Sequence, residues 1–191
     1  NTLKYGSDAI GGVINIITKA PGEQWSGTIR QDNTLLLSGD DGDQSRTNIY
    51  ASGKINEQLS LSVAGEIYNA DAWYLEDNKG TISPTKEAKK TRNLFTTLYW
   101  DINEQQQAEF DLNYNYDDRP YAPYSGLTSI RDQSIDRITF GATHRGQWGW
   151  GNSTLYANYE HGDIDDYNSR YDAPQQRSLQ ENNLSVKGML N

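Results

Sequence analysis

Hydrophobic and polar residues alternate with a period of two along most of the chain. Leu59, Leu61, Val63, Gly65 and Ile67 alternate with Ser60, Ser62, Ala64, Glu66 and Tyr68. Ala108, Phe110, Leu112, Tyr114 and Tyr116 alternate with Glu109, Asp111, Asn113 and Asn115. Ile138, Phe140 and Ala142 alternate with Arg137, Thr139, Thr143 and Arg145, and Leu184, Val186, Gly188 and Leu190 with Ser185, Lys187 and Met189. Successive side chains of a strand point to opposite faces, so each run reads as a strand with one apolar and one polar face. No stripe at helical spacing competes. The pattern predicts eight strands, at about 24–38, 45–56, 58–70, 91–103, 106–117, 134–147, 152–164 and 179–191. Several are roughly 12–15 residues long, against about 5–6 in soluble sheets. A tilted strand crossing a bilayer needs about 9–11.

The connections fall into two kinds. Asn56-Glu57, Asn103-Glu104-Gln105 and segment 148–152 are tight, whereas 71–90, 118–133 and 165–178 are long and rich in Asp, Pro, Gly and Arg. Tight and long links alternate, although the first long-side link, "GDDGD", is short. Loop lengths segregated by end suit an outer-membrane barrel, with short periplasmic turns and long outside loops. Trp25, Trp100, Trp148 and Trp150 gather near the tight turns, and Tyr68, Trp73, Tyr74, Tyr114 and Tyr116 near the long loops. Two aromatic bands are expected at the two membrane interfaces.

Composition narrows the classes. Hydrophobic residues make up 35% of the 191, a figure that includes 13 tyrosines, and mean hydropathy is −0.86. Such a chain buries little in a conventional core, yet 11% aromatic content is not that of a disordered one. The absence of cysteine excludes a disulfide scaffold. A net charge of −9 disfavours nucleic acid, whose phosphates need a basic face.

The opening is unlike the rest. In "YGSDAIGGVINIIT", Gly6-Ser7-Asp8 is turn-like, and Gly11-Gly12 permits close backbone approach. Val13-Ile14 and Ile16-Ile17 bracket Asn15 in a β-branched run, and Pro21-Gly22 ends the segment. "YGSDAIGGVINIITK", residues 5–19 with Tyr5, Gly6, Gly11, Gly12 and Asn15, resembles the closing motif of the plug domain of TonB-dependent outer-membrane receptors. The subgroup it is most similar to is the catecholate siderophore and colicin receptors.

That resemblance implies a fold and a role. Residues 1–20 would end the plug, 21–23 would be a linker, and 24–191 would be the N-terminal part of an all-β, antiparallel transmembrane β-barrel of 22 strands. The chain opens at Asn1 and is read as a piece of a longer protein. The whole would sit in the bacterial outer membrane, against lipid and lipopolysaccharide. It would bind a ferric siderophore outside and import it under drive from the TonB energy-coupling complex acting on the plug. It would catalyse no reaction and hold no cofactor.

Candidate chemistry is sparse. His144 and His161 lie far apart with no metal spacing, and Ser125-Gly126 lacks the glycines of a nucleophile elbow. Asp40-Asp41-Asp43 and Asp163-Asp165-Asp166 could hold calcium or meet lipopolysaccharide through divalent cations, or be solvated loop charge. Ligand contact is expected in the long loops, at Trp73, Tyr74, Arg119, Tyr121, Tyr124, Arg131, Arg170 and Tyr171. Arginine bonds strongly to anions and tyrosine adds a flat face with a polar tip, which suits an anionic, aromatic ferric catecholate. The alternative is that these residues cover the barrel rim. Arg137 and Arg145 alternate onto the polar face, where plug carboxylates are the expected partners. Two other architectures remain open: a self-contained eight-stranded barrel, and a soluble β-sandwich or carbohydrate-binding module.

Overall fold

The alternating segments become strands because one register pairs neighbouring backbones in a ladder and sorts side chains by face at once. The computed structural model describes residues 21–37, 42–76, 82–86, 88–121, 131–168 and 175–191. The elements are β1 (Ser26–Thr34), β2 (Gln44–Lys54), β3 (Leu59–Ala70), β4 (Trp73–Glu76), β5 (Ile82–Lys86), β6 (Lys89–Asn103), β7 (Gln106–Tyr121), β8 (Arg131–Trp148), β9 (Gly151–Asn168) and β10 (Gln175–Leu190). Eight of them form one antiparallel sheet, in the order β1-β2-β3-β6-β7-β8-β9-β10. Its end strands β1 and β10 do not pair with each other, so the sheet is open. This is not the self-contained closed barrel.

All eight expected strands are present, with three differences, the first being that β1 ends at Thr34 rather than at about 38. β4 and β5 form a separate hairpin inside the segment read as a plain loop. In addition, β7, β8, β9 and β10 run three or four residues further toward the long-loop end than the alternation indicated. The links read as 118–133 and 165–178 shrink to 122–130 and 169–174.

The tight turns are residues 55–58, 104–105 and 149–150. Asparagine side chains close two of them. Asn56 Oδ1 accepts from the amides of Gln58 (2.9 Å) and Leu59 (2.8 Å), and Asn103 Oδ1 accepts from that of Gln105 (2.9 Å). A side-chain acceptor here replaces the ladder partner the turning backbone has lost.

Register aligns the apolar positions into a continuous band. Ala51, Val63, Thr96, Leu112, Phe140, Tyr159 and Leu184 face one another in one row across seven strands. This band does not converge on a core. Among the described residues only Ala70 and Ala108 are buried hydrophobics, and Leu184 is 74% exposed. A two-layer sandwich would bury such a face, so the soluble-module alternative does not describe this fold. One aromatic expectation changes. Tyr68 lies on the opposite face from the band, because Ile67 rather than Tyr68 continues the series Leu61, Val63, Gly65. The Arg46 guanidinium sits 4.3 Å above its ring, so Tyr68 is not part of an interfacial girdle.

Candidate functional site: the polar face and its mouth

The polar face carries a transverse chain of hydrogen bonds. Asn48, Glu66, Asn93, Asn115 and Arg137 occupy one row from β2 to β8. Glu66 accepts from Arg46 Nη1 at 3.0 Å and from Asn93 Nδ2 at 3.2 Å, and Asn93 Oδ1 accepts from Asn115 Nδ2 at 2.9 Å. Two rows nearer the tight turns on the same strand pair, the Thr97 hydroxyl donates to Asp111 at 2.7 Å. Side chains opposed across neighbouring strands reach each other directly, which is why short amides and carboxylates suffice.

Arg137 and Arg145 each have a carboxylate partner in the wall itself. Arg145 Nη1 bonds Glu109 on β7, and Arg137 Nε lies 3.5 Å from Glu160 on β9. Both carboxylates sit on the adjacent strand, where only register, not sequence distance, makes them neighbours.

At the long-loop end the polar face becomes a mouth. Lys89 Nζ approaches Asp117 Oδ2 at 3.0 Å, and Arg119 Nε approaches Asp117 Oδ1 at 2.7 Å. Burial pushes the Asp117 carboxyl up, but the hydrogen bonds from Arg119 and Lys89 outweigh it and hold the group below the ordinary carboxylate range. Tyr121 ends β7 directly opposite Arg131, which begins β8. The structure therefore brings Arg119, Tyr121 and Arg131 together on paired strands rather than on a loop. Trp73 and Tyr74 lie on the separate β4–β5 hairpin. Tyr124, Arg170 and Tyr171, like the motif residues Tyr5, Gly6, Gly11, Gly12 and Asn15, lie outside the described residues.

One feature of the mouth escapes the strand-by-strand reading. Ile135, Ile164 and Leu179 are in register across β8, β9 and β10, on the same face as Arg137 and Glu160. One position away, Asp136, Asp163 and Gln180 form the row on the face that carries the apolar band lower down. On these three strands the polarity thus inverts above the band, and their apolar side turns to the face that carries Arg137 and Glu160. The available signal was a phase break: Ile135, Ile164 and Leu179 fall out of step with Ile138, Tyr159 and Leu184 on their own strands.

Both histidines and Asp165 have polar neighbours on adjoining positions. His161 lies between Asp163 (Nε2 to Oδ2, 3.2 Å) and Asn182 (Nδ1 to Oδ1, 2.9 Å), and Asp165 accepts from the Ser178 hydroxyl. His144 Nε2 is 3.2 Å from Gln106 Oε1. Among the described residues no three His, Asp or Glu side chains gather as a metal site. Asp40 and Asp41 lie outside them.

A single-layer antiparallel sheet with an exposed apolar band, a polar reverse face and short turns at one end is a section of barrel wall. The comparisons agree. No family model matches the chain. In sequence it is 31% identical over 165 residues to the iron-regulated outer membrane virulence protein of Vibrio cholerae, a match covering 82% of this chain and 24% of that protein. It is 29% identical over 175 residues to the ferric enterobactin receptor PirA of Pseudomonas aeruginosa, again covering 82% and 24%. In structure it superposes on the siderophore receptor PirA of Acinetobacter baumannii with a TM-score of 0.80, at 22% identity, covering 99% of this chain and 30% of that one. The TM-score with the ferric enterobactin receptor PfeA of Pseudomonas aeruginosa is 0.78, at 22% identity, covering 98% and 31%. The chain is homologous to TonB-dependent siderophore receptors and spans about a quarter of the length of the curated relatives it matches.

Proposed function

We propose that this chain is the start of the barrel wall of a bacterial outer-membrane receptor that imports a ferric siderophore of catecholate type, driven through TonB. In this reading the apolar band meets lipid, the Glu66 row lines the lumen and the long-loop end opens to the outside. Residues 1–20 close the plug and 21–23 link it to β1. The receptor transports its ligand without transforming it. The observation that carries the reading is the two-faced sheet, whose large apolar side chains, Ile49, Phe110, Phe140, Tyr159 and Leu184 among them, stay exposed with no core beneath them. It is supported by likeness to proteins named as ferric enterobactin receptors, one of them solved in complex with enterobactin.

In the mouth, Arg119 and Arg131 suit an anionic ligand, and the inward Ile135–Ile164–Leu179 row suits flat, weakly polar groups. Anionic charge and aromatic rings are the two attributes of a ferric catecholate. The test is uptake of radiolabelled ferric enterobactin by iron-starved cells from which the complete gene has been deleted. Uptake is expected to fall to the level of a TonB-deficient strain and to return on complementation. Undiminished uptake of ferric enterobactin and of other ferric catecholates would overturn the proposal.

A further inference from the structure

The lipid-facing band is not smooth. On β8 and β9, Ala142 stands directly opposite Ala157, so two methyl groups meet where neighbouring rows carry large side chains. Phe110 flanks the pair on β7, and Phe140 and Tyr159 stand one row above. The result is a depression of about 480 Å³, bounded on its far side by Leu184. A second depression of about 280 Å³ shares Phe110, Ala142 and Ala157 with the first, and continues toward the tight turns to Trp100, Ile102 and His144. Together they form one apolar trough.

We infer that this trough seats one acyl chain of a glycerophospholipid from the leaflet on the tight-turn side. The inference rests on the membrane reading proposed above. Three observations point to this occupant. The trough is continuous with the lipid-facing band, so hydrocarbon is what covers it. It runs from Ala108 to Leu112 along β7, four residues or about 14 Å of strand, which at a tilt of about 45° is about 10 Å of depth and fits within one leaflet of the roughly 30 Å hydrocarbon core. Its lower end lies at Trp100, and interfacial tryptophans sit at headgroup level. An acyl chain entering at Trp100 would run within that leaflet up to the Phe140 and Tyr159 rings.

The physical gain is contact rather than the hydrophobic effect, since lipid tails are already apolar. A void left over Ala142 and Ala157 would deprive the surrounding rings of neighbouring atoms, and a straight hydrocarbon chain restores them. Water does not fill such a site, because the lining offers too few polar partners.

The experiment uses the full-length receptor in nanodiscs of phosphatidylethanolamine carrying a photoactivatable diazirine midway along one acyl chain, with labelled residues mapped by mass spectrometry. Labelling at Phe110, Ala142 and Ala157 is expected to exceed that at Leu61, in the same row, and at Val63, one row above, by about tenfold, the effect of ~1.4 kcal/mol of preferred seating. Ala157→Phe, which fills the trough, is expected to bring its labelling down to the level of the rest of the band. Even labelling across the band in the wild type overturns the inference, as does crosslinking of a second receptor copy through the trough. Absence of labelling anywhere on the band would instead defeat the membrane reading on which it rests.

Discussion

The indole of Trp148 lies over Gly146, so close that a β-carbon on Gly146 would fall 2.5 Å from ring atom Cζ2. The ring is held there from two sides. Its Nε1 donates to the Ser153 hydroxyl across the β8–β9 pair at 2.7 Å, and its face stacks on Trp150 with centroids 6.3 Å apart. Trp25 repeats the device on β2: a β-carbon on Gly53 would meet its Cγ at 2.6 Å, and its Nε1 donates to the Lys54 carbonyl at 2.8 Å. Glycine lets the indole lie flat at the tight-turn end with its N–H still bonded, as an amphipathic ring at a membrane interface requires.

Gly146→Ala should therefore displace the Trp148 ring and break its bond to Ser153. The expected cost is about 1–3 kcal/mol, as for other overpacked sites. Gly162→Ala is the matched control, since a β-carbon there meets its nearest atom, Arg137 Nε, at an ordinary 3.6 Å. Urea unfolding of the full-length receptor in lipid vesicles, followed by tryptophan fluorescence, should separate the two variants. Equal midpoints would show that the ring has room to move aside.

The extent to which this was legible depends on where alternation holds. Within the band, parity alone identifies strands, because one face meets lipid and the other water. Above it, Asp136 and Asp163 put polar groups on the formerly apolar face, the contrast fades, and the strand ends were placed too early. The β4–β5 hairpin was hidden for another reason: Pro84 within "ISPTK" argues against a strand, and segments of four and five residues are too short for alternation to mark them. Arg119, Tyr121 and Arg131 were recognisable by chemistry but assigned to a loop. The Arg145–Glu109 and Arg137–Glu160 pairs could not be read, since they join residues 36 and 23 apart through register alone. Ile135, Ile164 and Leu179 needed a change of phase to be noticed on three strands at one height.

Glu66 is the hub of the polar row, accepting from both Arg46 and Asn93. Glu66→Leu removes the acceptor and leaves two donors facing a hydrocarbon side chain. A loss of roughly 1–2 kcal/mol is expected, kept modest because the Arg46 side chain is 44% exposed and can turn to water. A double-mutant cycle with Arg46→Met should return a coupling of about 0.5–1 kcal/mol. Strict additivity in unfolding midpoints would mean that the pair contributes nothing to the wall.

The inward isoleucine row predicts a ligand phenotype separable from folding. Ile164→Ser should weaken ferric catecholate binding about tenfold, the equivalent of ~1.4 kcal/mol and of one partly buried aliphatic side chain. Asp163→Asn, its neighbour on the opposite face, should leave affinity unchanged. Binding is measured by fluorescence quenching in whole cells, with heat-modifiable gel mobility as the check on folding. An Ile164→Ser receptor with wild-type affinity would remove the apolar row from the binding surface.

Two carboxylates at the mouth should respond to pH with opposite signs. Burial raises Asp117, but hydrogen bonds from Arg119 and Lys89 prevail and leave it below the ordinary value near 3.9. A lowered acid contributes stability above its unfolded value and loses it as pH falls through the folded one. Burial and a hydrogen bond shared with Asp118 instead raise Asp132. A raised acid contributes its stability below the unfolded value and loses it as pH rises through the folded one. Asp117→Asn should thus lower the apparent melting temperature of the receptor at pH 7, and the deficit should close as the buffer is taken below about pH 4. Asp132→Asn should raise it at pH 7, and that advantage should also vanish below about pH 4, where wild-type Asp132 is itself protonated. Calorimetric scans of both variants from acid to neutral pH test the pair together. Shifts of the same sign at pH 7 would show that the mouth does not hold one carboxylate charged and penalise the other.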